Sequence, residues 1–185
     1  MSPLPLRGGA NSRNIVSVAE PVAMDGHPGL SGEAGKRSPK GKGEGVMTQV
    51  DFYVLPESTP RGRALFTCKL AEKAFGLGHR SFVHLASEAE AQELDNLMWT
   101  FRDRSFLPHC LAGEDAQAPV HLGFGQEPAE DFHLLINLGN EVPRFFSRFE
   151  RVAEVVDASS QIREQGRERF RFYKDRGYPL ETHKL

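Results

Sequence analysis

Apolar and polar positions follow two different periods along residues 47–185. "VDFYVL", Val50 to Leu55, is a short apolar run closed by Pro56, and "RSFVHLA", Arg80 to Ala86, is a second; both have the length and composition of buried strands. Between them Leu65, Cys68, Ala71 and Phe75 recur at helical spacing until "GLG" ends the run, with Thr59 placed to cap the helix and Pro60 at its first position. Ser87 followed by Glu90 makes a capping box for a second helix through "EAEAQELDNLMW". The pattern then loosens across "TFRDRSFLPHCLAGEDAQA". "PVHLGFG" and "DFHLLINLG" read as two more strands, "VPRFFSRF" as a short helix, and "RVAEVVD" as a fifth strand ahead of a final helix from Ser159 to Arg176. Strands alternating with helices predict a three-layer, Rossmann-like α/β domain, its sheet mainly parallel and covered by helices on both faces.

Residues 1–46 break from this pattern. They are rich in Gly, Pro, Ser and charge and hold no aromatic residue, so they offer too little apolar area to offset the entropy of ordering. The expected division is a disordered extension over 1–46 and an α/β domain over 47–185. Two readings of the extension stand side by side: a basic flexible tether, or sequence upstream of a true start at Met47, since "KGKGEG" has the purine-rich codons of a ribosome-binding site.

Charge and chemistry narrow the function classes. A formal net charge of -2 gives no global attraction to nucleic acid. Cys68 and Cys110 lie far apart, with neither a disulfide framework nor a Cys/His zinc cluster, as expected of reduced cytoplasmic thiols. No apolar run is long enough to span a bilayer, so no membrane partner is expected and a soluble cytoplasmic protein is. The turn after the first strand, "PESTPRGRA", has neither G-x-G-x-x-G nor G-x-x-x-x-G-K-[ST], so a nucleotide-dependent enzyme on this sheet would lack its phosphate cradle. His109 and Cys110 are neighbours without an orienting third group. The seven histidines are scattered without metal-ligand spacing. No catalytic residue, cofactor or metal is expected.

Two stretches carry chemistry that a core does not need. In "LMWTFRDRSFLPH", Met98, Trp99, Phe101 and Phe106 bring more apolar area than a loop can easily bury, beside Arg102 and Arg104; this is the composition of an interface hot spot, although a loop folded on its own aromatics is the plainer alternative. In the final helix, at about 100° per residue, Arg163, Arg167, Arg171 and Lys174 fall within a sector of roughly 80° with Phe170 at its edge. Glu164, Glu168 and Asp175 occupy the adjoining sector. Such a stripe can hold carboxylates of a partner while the aromatic receives an apolar side chain; the plainer alternative is a solvated face of Arg/Glu pairs.

At these residues the sequence resembles the chi subunit of bacterial DNA polymerase III. The likeness runs from about Met47 to Leu185 and rests on "VDFYVL", "LAEKAFGLGHR", "ELDNLMWTFRDRSFLPH", "LLINLG" and "RERFRFYKDRGYPLETHKL" in that order. It implies a non-catalytic subunit of the clamp-loader assembly in DNA replication, with a nucleotide-binding-like fold that has no nucleotide site. It implies two partners. Trp99 and Phe106 match positions of contact with the psi subunit, and a repair helicase is a further candidate for that surface. Arg163, Arg167, Phe170 and Arg171 match positions that hold the acidic C-terminal tail of single-stranded-DNA-binding protein, so association with single-stranded DNA would be indirect, and Lys174 completes the stripe. Phe170 stands where the family also has tyrosine. Direct nucleic-acid binding by the last helix is the alternative that the acidic balance disfavours.

Overall fold

A computed structural model describes residues 47–59, 61–103, 106–115 and 117–185. Residues 1–46, on which the expected extension falls, lie outside the described residues, as do Pro60 and Arg104.

Seven strands form one sheet. They are β1 (Gln49–Val54), β2 (Ser81–Leu85), β3 (His109–Leu111), β4 (Val120–Phe124), β5 (Leu134–Asn137), β6 (Arg151–Val156) and β7 (Leu180–Lys184). The spatial order is β3-β4-β2-β5-β6-β1-β7, and every pairing is parallel. Among the described residues three α-helices accompany the sheet: α1 (Gly62–Gly76), α2 (Glu88–Thr100) and α3 (Ser160–Asp175). The predicted short helix is a 3-10 turn, Phe146–Arg148.

Strand parity separates the two faces, because successive side chains point to opposite sides. In β1, Val50 and Phe52 join a core with Phe82, Val152, Val156 and Tyr173, the last from α3. Tyr53 points the other way and meets Phe66 of α1, ring centroids 5.3 Å apart. On that same face His109 of β3 contacts Asp95 of α2, and α1 packs beside α2. So α1 and α2 cover one face and α3 the other, as the three-layer reading expects. The inner strands are almost wholly buried, which fits a parallel sheet covered on both sides.

Two strands were not expected from the pattern. β3 is three residues long, too short to show a period, and lies inside the stretch where the pattern loosens. β7 is polar, "LETHK", and mostly exposed, because an edge strand has one neighbour and needs no apolar run. The capping expectations divide. At α2, Ser87 Oγ accepts from the Glu90 N–H at 3.3 Å, and Glu90 reaches back to the Ala86 N–H at 3.2 Å. At α1 the cap position falls on Arg61, which makes no side-chain cap, while the Thr59 carbonyl accepts from the Gly62 N–H at 3.0 Å.

Candidate partner-binding surfaces

α3 is fixed at both ends by its own sequence. Ser159 Oγ accepts from the Ile162 N–H at 3.4 Å, and Asp157 Oδ1 accepts from the Ser159 N–H at 2.9 Å. At the far end Gly177 takes φ 76, a conformation that favours glycine, and its N–H caps the Lys174 carbonyl at 3.0 Å before the chain turns into β7. Gly166 lets the helix approach the sheet closely: a Cβ there would lie 2.9 Å from Val156 Cγ2.

The helix has one arginine of a different kind. Arg169 is 3% exposed and shares a helical side with Ile162, Gly166 and Tyr173. Its Nε donates to Glu154 Oε2 at 2.7 Å and its Nη1 to the Asn140 carbonyl at 3.1 Å. Glu154 is fully buried; its Oε1 also accepts from Tyr173 Oη at 2.9 Å and Asn137 Nδ2 at 3.0 Å. Burial, reinforced by Glu154, raises the Tyr173 phenol far above its ordinary value, so it acts here as a fixed donor. This network spans β5, β6 and α3, and it sets how the helix sits.

With Arg169 holding the inner side, Arg163, Arg167, Arg171 and Lys174 all face solvent. None of these four cations forms an ion pair among the described residues, so the face of Arg/Glu pairs does not form. Phe170 is half-buried, its ring edge-on to Phe52 at 5.2 Å. It therefore lies between the core and the cations, presenting partial apolar surface at their border. Arg176 belongs elsewhere: its guanidinium lies 3.6 Å from the centroid of the Phe172 ring.

The second predicted surface lies on the other layer. Trp99, in the last turn of α2, is 55% exposed, and Phe106 is 71% exposed. Their ring centroids are 6.1 Å apart, and Trp99 rests on His109 at 4.6 Å. Met98 faces inward and is buried, and Phe101 is half-buried. Met98, Trp99, Phe101 and Phe106 are thus divided: the first is buried, Phe101 is half-buried, and the Trp99 and Phe106 rings are left in water. Arg102 pairs with Glu72 of α1 at 3.1 Å, which anchors the turn beside them.

A crevice of about 970 Å³ opens where β1, β2, β5 and β6 end, the place where such sheets hold nucleotides. Arg63 reaches into this region from the start of α1, donating to the Leu138 carbonyl at 3.0 Å and the Val155 carbonyl at 3.2 Å. Its donors are directed at backbone carbonyls, and Glu90, Glu93 and Asp157 line the same crevice, outnumbering Arg61 and Arg63. Neither feature suits a phosphate chain.

Fold and surfaces together describe a class: a parallel α/β domain of nucleotide-binding type, without the glycine-rich phosphate loop, that exposes unpaired cations on one layer and unburied aromatics on the other. Comparison with known proteins gives the family. The DNA polymerase III chi subunit, HolC, family matches residues 47–181. The DNA polymerase III subunit chi of Pseudomonas aeruginosa is 50% identical over 139 residues, covering 75% of this chain and 98% of the relative. The subunits chi of Haemophilus influenzae and Escherichia coli K12 are 31% and 29% identical, covering 71% and 74% of this chain and 93% and 97% of theirs. The chain belongs to the DNA polymerase III chi subunit family. Among solved structures, the crystal structure of T4 UvsW aligns with a TM-score of 0.54 at 10% identity over 75% of this chain, which spans 42% of that one; this likeness concerns the fold alone. Among the described residues no helix is long and apolar enough to cross a membrane.

Proposed function

We propose that this protein is a non-catalytic adaptor that joins the clamp loader to single-stranded DNA coated with its binding protein. The psi subunit docks on Trp99 and Phe106. The acidic C-terminal tail of single-stranded-DNA-binding protein lies along Arg163, Arg167, Arg171 and Lys174, with an apolar side chain against Phe170. The protein then works in the cytoplasm and reaches DNA only through that tail. The observation that carries this reading is the α3 face: four exposed cations without carboxylate partners, bordered by a half-buried aromatic.

The chemistry fits a short acidic ligand. Guanidinium groups give charge-assisted, often bidentate hydrogen bonds to carboxylates, and the Phe170 border receives an apolar terminal residue. So small a contact is weak, on the order of micromolar, and weakens with salt.

Fluorescence anisotropy with a labelled acidic peptide ending in Pro-Phe tests it. Binding falls with salt and is largely lost in Arg167→Ala and in Phe170→Ala, whereas Trp99→Ala and Phe106→Ala bind as the parent does. Equal binding by all four variants would sink the assignment of the tail to α3.

A further inference from the structure

On the face of the sheet opposite α3, the edge strand β7 brings two side chains against β1. Glu181 stands in register with Asp51, and His183 with Tyr53. Asp51 is fully buried, and Arg151 of β6 holds its Oδ2. Its other oxygen, Oδ1, lies 3.3 Å from His183 Nε2, which is 3.7 Å from Glu181 Oε2. The imidazole is set in place by stacking on Tyr53, centroids 4.9 Å apart and planes 17° from parallel. Three ligand atoms, one nitrogen and two carboxylate oxygens, thus lie within 4.8 Å of one another.

Oxygen and nitrogen donors around a zinc-like ion bind at about 2.0–2.2 Å, which places neighbouring donors of a tetrahedral set about 3.3–3.6 Å apart. The separations of His183 from the two carboxylates fall close to that range. We propose that Asp51, Glu181 and His183 form a site for a divalent first-row transition-metal ion, with water completing the coordination on the exposed Glu181 side, and that the ion clasps β7 to β1. Charge permits it: two carboxylates and the ion, with Arg151 retained on Asp51 Oδ2, leave a net charge of one on a solvent-facing edge. Arg151 and the Tyr53 ring act as the outer supports that hold the ligands in orientation. The separation of the donors in sequence, 132 positions between Asp51 and His183, hides the site from any spacing motif.

The test uses the full chain, stripped with chelator, and zinc chloride as the probe. Thermal denaturation and isothermal titration are run on the parent and on His183→Gln and Glu181→Gln, the first a half-buried and the second an exposed position of the edge strand β7, with the metal-free Tm of each variant as its own baseline. The parent shows a zinc-dependent rise in Tm and a one-to-one isotherm, and each variant loses about tenfold or more in affinity. Cobalt substituted for zinc gives a visible tetrahedral absorption band in the parent that both variants lack. No rise in the parent, or an equal rise in parent and variants through binding at other histidines, overturns the proposal.

Discussion

Replacing Arg169 with methionine removes the inner cation of α3 while keeping a side chain of similar reach. Two hydrogen bonds go, to Glu154 Oε2 and to the Asn140 carbonyl, and the fully buried Glu154 keeps only its neutral donors, Tyr173 and Asn137. Breaking a buried pair from one side costs about 3–5 kcal/mol, because the remaining charge is neither solvated nor matched. For a domain of this size that is about 10–15 °C in Tm. Arg167→Met is the control: the same chemical change two residues away, on an exposed cation with no ion pair, is expected to stay within about 0.5 kcal/mol. Urea denaturation followed by circular dichroism reads both. Arg169→Met combined with Glu154→Leu recovers part of the loss, since no isolated charge remains, although the Tyr173 hydroxyl then loses its Glu154 acceptor and Asn137 Nδ2 keeps only the Glu141 carbonyl. Should Arg169→Met and Arg167→Met unfold at the same midpoint, the division of the helix into one structural and four free cations is wrong.

Gly166→Ala gains about 1 kcal/mol of helix propensity, but its methyl meets the stiff Val156 side chain, so the net change in a urea titration is a destabilisation of about 0–2 kcal/mol. Burial holds the His121 imidazole below its ordinary value near 6.5, against the opposing pull of Glu130. The unfolded chain therefore takes up a proton before the folded one does, so this contribution is intact above about pH 6.5 and is lost on acidification below it; His121→Gln flattens the urea midpoint measured across that range. Trp99→Ala and Phe106→Ala remove exposed rings, leave the urea midpoint within about 0.5 kcal/mol, and abolish co-elution with the psi subunit in gel filtration; unchanged co-elution would refute that placement.

The sequence made the interior strands and all three helices visible because each repeats a period over enough residues to show it. β3 and β7 escaped for opposite physical reasons: one is too short to repeat, and the other is an edge whose side chains meet water. The cation stripe was legible from helical spacing alone, since Arg163, Arg167, Arg171 and Lys174 emerge on one exposed side. Arg169 was also within reach of the same arithmetic, because it falls on the sector of Gly166 and Tyr173, and a charged residue on an apolar sector asks for a buried partner. Its partner was marked too: Glu154 interrupts the apolar run that follows Arg151 in β6, between Ala153 and Val155. What no local pattern reveals is convergence between distant strands. The meeting of Asp51 with Glu181 and His183 depends on β7 returning beside β1, which only the topology shows.

The layered fold has a consequence for the proposed adaptor role. The cations of α3 and the aromatics at the end of α2 lie on opposite faces of a sheet whose interior is closely packed, so a ligand on one does not obstruct a ligand on the other. Nothing in this arrangement requires one contact to strengthen the other; two independent contacts suffice for the proposed role. If the proposal holds, a single tail held by a few guanidiniums would exchange quickly, which would let the loader release and rebind as the coated strand shortens. Several tails on one strand would raise the local concentration to the order of millimolar, well above the micromolar dissociation constant expected of one such contact, so the proposed sites would stay mostly filled. On that proposal the cations are better left unpaired, because an internal Glu partner would compete with the tail for each guanidinium.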